Sequence, residues 1–226
     1  MKTKLFIITL LLWISVGTSQ QYAKDSSPLK NLLLPASEIL AVNGFVAACN
    51  RFVFNADYAR ISFSSIESNF DGPWVWDDDN FAVNQIGHPY QGSLYYSLAR
   101  HYGHGYFKSM FFASFGSAQW EYFMETEKPA INDLITTSLG GAMLGEITGR
   151  LSENILDDTS DGFVRAGRET GAFVINPMKG LHRMIDGSMF RIRSVNEHYG
   201  MKIKFEVSGE KKIYSFLKTK GFDENK

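Results

Sequence analysis

The sequence predicts a mainly α-helical protein that ends in a short antiparallel β meander. Between residues 80 and 155, apolar side chains recur at helical spacing, and prolines and glycines separate successive helices. The last of these helices carries three glycines at four-residue spacing: Gly141, Gly145 and Gly149. After Met189 the pattern changes to alternating apolar and charged residues, which is typical of strands. We therefore expect a compact helical domain of close-packed, glycine-rich helices, followed by strands.

The N-terminus has the three parts of a secretory signal peptide. Lys2 and Lys4 precede an apolar run of about a dozen residues, and small residues follow up to Ser19. A membrane-spanning helix needs about 20 apolar residues, so we expect cleavage after Ser19 and export. The predicted organisation is a signal peptide (1–19), a flexible leader (20–35), a helical domain (36–187) and a β-strand appendage (188–226).

The amino-acid composition limits the classes of binding partner that we expect. The net charge of −1 gives no basic footprint, so no nucleic-acid partner is expected. The single cysteine, Cys49, has no partner for an internal disulfide. The aromatic content of 14% is typical of a dense core, a membrane-facing surface, or both.

The first helix of the domain is predicted over Glu38–Phe54, with Ser37 as its N-cap. Asn43 and Asn50 lie seven residues apart on one face, which indicates a solvated stripe or, alternatively, hydrogen bonds across a helix interface. Residues 57–70 fit a strand or a helix. The aspartates at 77–79 lack the spacing of a calcium loop and are interpreted as a solvated acidic cap.

His88 is the first candidate for chemistry. It precedes Pro89, which we expect to push it out of the α region before a helix that runs from Gln91 to about Tyr102. The imidazole can act as an acid, a base or a ligand, or it can bond a buried carboxylate. His101 and His104 stand without a metal-binding motif, so no metal site and no cofactor are predicted.

The second helix, Tyr106–Met124, holds small residues in its middle and two glutamates one turn apart, Glu121 and Glu125. Its charge-free stretch is too short to span a bilayer, so a buried core helix is predicted. A buried Glu121 then needs a partner. The first partners to expect are basic or imidazole side chains of the same domain: Arg100, Arg150 and His88.

A third helix is predicted from Asn132 or Asp133 to about Asp157. Its N-terminal dipole favours Asp133, and Glu146 and Arg150 are spaced as an i, i+4 pair. Its glycines indicate close contact with another helix, in a soluble bundle or in a membrane. Beyond it the chain is basic. These cations either contact phosphate headgroups or pair with the aspartates of residues 157–161: Arg165, Arg168, Lys179 and Arg183.

Three runs, HPYQGS, WEYFMETEKPAINDL and INPMKG, resemble a bacterial exported family of unknown function. The resemblance extends from about Leu34 to Gly187. It implies no established activity, but longer members of that family continue into an outer-membrane β-barrel, for which the strands predicted here are too few. The matching positions are His88, Pro89, Gly92, Ser93, Arg100, Trp120, Glu121, Glu125, Asn132, Asp133, Gly140, Gly141, Gly145, Glu146, Asn176, Pro177 and Gly180.

Two functions remain open, and the sequence does not decide whether the protein is an enzyme. The first is a lipid- or membrane-protein-binding module in the periplasm or at the periplasmic face of the outer membrane, with self-association through the C-terminal strands. The second is a lipid- or cell-wall-directed enzyme. The candidate catalytic residues are His88, Glu121, Asp133 and Arg100. The candidate binding residues are Tyr96, Trp120, Glu125, Asn132, Glu146 and Arg150.

Overall fold

The computed structural model describes residues 27–196, 198, 204–205 and 214–215. Most of this part of the chain is helical, as predicted. The α-helices are α1 (Pro28–Phe52), α2 (Phe63–Phe70), α3 (His88–His101), α4 (Tyr106–Phe123), α5 (Ile131–Ile135), α6 (Gly141–Ile155), α7 (Gly162–Ile175) and α8 (Pro177–Ile185). Two π-helical turns, π1 (Val83–Gly87) and π2 (Thr136–Gly140), lead into α3 and α6, and a 3-10 turn follows α8 at Ser188–Phe190.

Helix α1 begins earlier than the sequence indicates. Ser27, not Ser37, is its N-cap, and the Ser27 hydroxyl accepts the Lys30 N–H at 3.4 Å. Pro28 occupies the first helical position, where a missing N–H has no cost. The leader predicted over residues 20–35 is therefore helical from Pro28 onward, and the signal peptide predicted over residues 1–19 lies outside the described residues.

Helix α3 is the centre of the bundle. It packs against α1, α4, α6, α8 and both π turns. His88 is its first residue, with helical φ and ψ of −62° and −47°, so the bend expected at this position is wrong. The physical reason is the π turn: the His88 N–H bonds to the Val83 carbonyl, which carries the chain into the helix ahead of Pro89.

Glycines bring α3 and α6 into backbone contact. A Cβ on Gly92 would lie 1.9 Å from the Thr137 carbonyl oxygen, and one on Gly141 would lie 2.5 Å from the Gly92 backbone. A Cβ on Gly145 would meet the Tyr96 ring at 2.7 Å. The predicted close helix crossing is confirmed here, although Gly149 does not take part in it.

The core is unusually polar. Tyr95, Tyr96 and Asn43 are fully buried at its centre. Asn43 was expected on a solvated stripe, but its Nδ2 donates to the Gly116 carbonyl at 2.9 Å, and its Oδ1 accepts from the Tyr95 hydroxyl. A buried amide needs such partners, and the two helices that face α1 supply them.

The remaining elements settle one open assignment and correct one predicted strand. Residues 63–70 form α2, where Ser62 and Ser65 make a reciprocal capping box. The first strand predicted after Met189 does not form, since residues 191–195 are irregular. The backbones of Lys204–Phe205 and Tyr214–Ser215 pair antiparallel, but the rest of the predicted meander lies outside the described residues, so the appendage over 188–226 stays a prediction.

Candidate functional site

Polar side chains gather where α3 begins. His88 Nε2 lies 3.3 Å from Asp133 Oδ1, and both side chains are nearly buried. Asp133 occupies the first turn of α5 and hydrogen-bonds to Asp77. Asn132 connects this group to the preceding loop, because its Oδ1 accepts the Asp77 N–H at 3.0 Å and its Nδ2 donates to the Asp77 carboxylate. The aspartates expected as a solvated cap thus include one, Asp77, that belongs to the site.

The protonation of this group follows from burial and from neighbouring carboxylates. Burial, the hydrogen bond to Asp77 and the negative charge of Glu121 raise the pKa of Asp133 to about 8. The complementary hydrogen bonds from Asn132 and Asp133 lower the pKa of Asp77, although its partial burial acts in the opposite direction. Burial lowers the pKa of His88. A neutral Asp133 can therefore donate to an ionised Asp77 beside a neutral imidazole.

A second acid pair lies at the C-terminal end of α4, with Glu121 in its last turn and Glu125 just beyond it. The Glu121 and Glu125 carboxyls are in hydrogen-bond contact. Burial raises the pKa of both above the usual range, and the negative charge of Glu121 raises the pKa of Glu125 further. Glu121 Oε2 accepts the Ala130 N–H at 2.8 Å, and Glu125 Oε2 accepts the Trp120 indole N–H at 3.1 Å. The pair therefore shares a proton, as two adjacent buried carboxyls do.

Asn69 holds the acid pair from the other side. Its Nδ2 donates to the backbone carbonyls of Glu121 at 3.2 Å and Glu125 at 3.0 Å. This role was not predicted, because residues 57–70 fitted a strand as well as a helix. Asn69 therefore positions the backbone of the acid pair and adds no charge to the site.

The partners expected for Glu121 are wrong. Arg100 and Arg150 both contact Glu146, at 3.4 Å and 2.6 Å, and the Tyr96 hydroxyl donates to the same carboxylate at 2.7 Å. Arg100 lies toward the far end of α3, about 18 Å along the helix from His88 at 1.5 Å per residue, and its contact with Glu146 brings Arg150 to the same end. The candidate residues therefore divide into an acidic end and a basic end.

The acidic end can hold and transfer protons. It combines an imidazole, an Asp133 carboxyl whose pKa lies near neutrality and two glutamates that share a proton. Such groups can act as general acids and bases. Among the described residues no group of three or more histidine, cysteine or acidic side chains is placed to hold a metal ion.

The sequence did not reveal a buried ion network beneath α7. Arg183 contacts Glu169 at 2.6 Å and Asp158 at 2.7 Å. Arg165 donates to five backbone carbonyls, three in the segment after α8 and two in the loop between α6 and α7. Pairing with the aspartates of residues 157–161 was one of the two alternatives for these cations. That alternative is confirmed for Arg183. Its positive charge was the only feature of the sequence that indicated this pairing.

Residues 73–178 match the model of a family described as Domain of unknown function (DUF3943). No curated protein and no solved structure matches significantly. The match includes both ends of α3, the acid pair and Asn132, and it agrees with the expected resemblance to a family of unknown function. Residues 73–178 of this chain are therefore a DUF3943 domain, a family without an assigned function.

Proposed function

We propose that the helical domain is a lipid-binding module of the cell envelope whose apolar helix faces contact the acyl chains of a bilayer. The observation that carries this proposal is the surface of α5, π2 and α6. From residue 131 to residue 149 every exposed side chain is apolar, and these residues recur at every fourth position: Ile131, Ile135, Leu139, Met143 and Ile147. The polar residues of the same segment are buried or half-buried.

Two other helices repeat this arrangement. Between residues 109 and 126, on α4, the exposed residues are Phe111, Phe115 and Phe123. Between residues 31 and 50, on α1, they are Leu32, Leu33, Leu40, Gly44 and Phe45. Helix α4 is thus not the buried core helix that the sequence predicts, because only one of its two apolar faces packs against the bundle.

Lipid is the occupant that fits all three faces together. All three segments pack against α3, so their exposed faces point away from the centre of the bundle. A single protein partner would have to contact three separate helix faces. Acyl chains, in contrast, contact every apolar surface that enters a bilayer. Soluble proteins rarely expose contiguous apolar patches above a few hundred Å². A hydrocarbon environment also requires polar side chains to lie inside an apolar exterior, as Asn43 and Glu121 do here.

The dimensions agree with this proposal. The apolar face from Ile131 to Ile147 is ~24 Å long at 1.5 Å per residue, close to the ~30 Å of a bilayer's hydrocarbon layer. Among the described helices, α1 is also long and apolar enough to cross a membrane by length and composition, a test that a core helix or a signal sequence passes too. Export, which the N-terminal pattern predicts, would bring the domain to the envelope.

Vesicle flotation of the purified full-length chain tests the proposal. We expect wild type to float with phospholipid vesicles, and the double variant Leu139→Lys/Met143→Lys to lose most of this binding, because burying lysine in hydrocarbon costs about 2.5–3.5 kcal/mol per residue. The matched control places the same charges at exposed polar positions, Thr159→Lys/Ser194→Lys. Circular dichroism in detergent verifies that each variant is helical. A wild-type chain that stays with the unbound fraction would refute the proposal.

A second candidate is a lipid- or cell-wall-directed enzyme that uses His88, Asp133 and Glu121. It is favoured by one observation: His88 Nε2 is buried and makes no hydrogen bond, although it lies 3.3 Å from Asp133. Incubation with bacterial lipid extract or peptidoglycan, followed by mass spectrometry, tests it. Products that disappear with His88→Gln and Asp133→Asn would support an enzyme, and unchanged material with wild type would exclude one for those substrates.

A further inference from the structure

The structure contains a polar cleft at the basic end of the bundle. It has a volume of about 480 Å³ and lies between the C-terminal half of α3, helix α6 and helix α8. Arg100, Glu146 and Arg150 form one wall, and Lys179 of α8 and Asn176, the N-cap of that helix, lie opposite. None of these five residues belongs to the acidic end around His88.

Gly149 keeps this cleft open. Its neighbours in the repeat, Gly141 and Gly145, are required for packing, because a Cβ at either would collide with α3. A Cβ at Gly149 would meet only Asn176 Nδ2, at 3.8 Å, which is ordinary contact. Glycine costs about 1 kcal/mol in a helix relative to alanine. At Gly149 no helix contact offsets this cost. The missing side chain instead leaves open space in the cleft.

The wall formed by α3 and α6 carries an excess of positive charge. Arg100 and Arg150 share one carboxylate, Glu146. The other cations of the cleft are matched, since Lys179 pairs with Glu153 and Arg183 pairs with Asp158 and Glu169 behind the cleft. The remaining carboxylate, Asp186, accepts the Ser188 N–H at 2.7 Å. The two partly exposed guanidiniums are therefore the groups with donors available to an anion.

All three apolar faces end at this level in an exposed basic residue. Lys30 precedes the face on α1, Lys108 precedes the face on α4, and Arg150 follows the face on α6. Contacts place these helix ends together, because His104, between α3 and α4, bonds to the Asn31 carbonyl, and Arg100 bonds to the His104 carbonyl. We call Lys30, Arg100, Lys108 and Arg150 the basic rim. The opposite end holds Asp133, Glu121 and Glu125 instead.

We propose that the cleft binds the phosphate group of an anionic lipid headgroup, with Arg100 and Arg150 as its donors. The inference rests on the proposed contact between the apolar faces and acyl chains, because that contact places the basic rim at the depth of the lipid phosphates. Guanidinium binds phosphate oxygens through two parallel N–H groups, which ammonium does not. The cleft also encloses the phosphate group, which the open surface around Lys30 and Lys108 does not. Phosphate therefore binds in the cleft in preference to the rest of the basic rim.

Flotation with two kinds of vesicle tests the inference. The full-length chain is mixed with phosphatidylcholine vesicles, and separately with vesicles that also contain phosphatidylglycerol. We expect wild type to prefer the anionic vesicles and Arg100→Gln/Arg150→Gln to lose about 30-fold of that preference, equivalent to about 1 kcal/mol per removed charge. The charge-matched control is Arg60→Gln/Lys128→Gln, with both residues near the acidic end, and it should keep the preference.

Gly149→Leu separates the cleft from diffuse attraction to the rim, because it fills the cleft and changes no charge. We expect it to lose most of the preference while binding phosphatidylcholine as wild type does. If Gly149→Leu keeps the preference, the cleft assignment is wrong. Glycerol phosphate in solution is the competitor that distinguishes the source of the phosphate.

The outcomes distinguish this inference from the proposed function. Wild type that binds neither kind of vesicle would overturn the proposed function and the inference together. Wild type that binds both kinds equally would overturn the inference alone, unless glycerol phosphate raises its melting temperature through Arg100 and Arg150. That last result would assign the same phosphate site to a soluble compound and reject the lipid source.

Discussion

His88 Nε2 lies 3.3 Å from Asp133 Oδ1, yet the two side chains do not form a simple ion pair at neutral pH. Burial lowers the pKa of His88, and burial with the neighbouring carboxylates raises the pKa of Asp133 to about 8. Both shifts favour the uncharged forms. The Asp133 proton is directed to Asp77, whose carboxylate is bonded by Asn132. This arrangement makes the acidic end sensitive to pH near neutrality.

The first prediction concerns this pH dependence. An acid whose pKa is raised by folding stabilises the fold fully below its unfolded pKa, near 4, and loses that contribution as pH rises through the folded value of about 8. We expect the melting temperature of the purified full-length chain in detergent to fall between pH 5 and pH 8, and Asp133→Asn to flatten that fall. Asp57→Asn, at an exposed position, is the control and should keep the wild-type slope. Identical slopes for Asp133→Asn and wild type would contradict the assignment.

The second prediction concerns Glu121. Its carboxyl accepts the buried Ala130 N–H and shares a proton with Glu125. Glu121→Ala leaves that N–H unbonded and should cost about 2–3 kcal/mol of unfolding free energy. Glu121→Gln keeps an acceptor and a donor in place and should cost under about 1 kcal/mol. Urea unfolding followed by circular dichroism measures both, with the exposed Glu127→Gln as control. Equal losses for alanine and glutamine would show that the hydrogen bonds are not what the site requires.

The third prediction uses the glycine repeat as an internal comparison. Gly141→Ala places a methyl group 2.5 Å from the α3 backbone, so it should destabilise by about 3 kcal/mol or prevent folding. Gly149→Ala has room for the methyl group and should stabilise by about 0.5–1 kcal/mol through helix propensity. Melting temperatures of the two single variants measure the difference. A stabilising Gly141→Ala would refute the close crossing of α3 and α6.

The fourth prediction concerns the network beneath α7. Arg165 is buried, and its guanidinium bonds to carbonyls that include Met189 at 2.7 Å and Ser188 at 2.7 Å. Arg165→Ala removes all of these donors and should cost about 3–5 kcal/mol. Arg168→Ala on the same helix loses one bond, to the Ile155 carbonyl, and should cost about 1 kcal/mol. Limited proteolysis after Arg191 and thermal melting should both rank the two variants in this order, and the reverse ranking would count against the network.

The local features that the sequence predicted are those with a local cause. Helix α4 was predicted within one residue of its observed end, because Gly105 precedes it and Lys128-Pro129 follows it closely. The i, i+4 pair of Glu146 and Arg150 was predicted from spacing alone and is observed at 2.6 Å. Both depend on neighbours in the chain.

The partners of the candidate residues depended on distant segments. Glu121 was expected to meet a cation, but Arg100 and Arg150 lie at the other end of α3, and Glu121 meets Glu125 and a backbone N–H instead. Asn69 was missed because its segment fitted a strand as well as a helix. Spacing along the chain contains no information on such contacts.

By itself, the sequence determined that the chain is mainly helical, where several helices break, and that a glycine-rich helix crosses another closely. The tertiary structure alone decided which face of each helix is inside. In α4, phenylalanines lie on both faces, so burying either face removes a similar apolar area from water and periodicity does not choose between them. Gly116, against which the Tyr95 ring packs, and Asn43 of α1 select the inner face, since only that face meets their partners at contact distance. The phenylalanines on the other face remain exposed for the same reason.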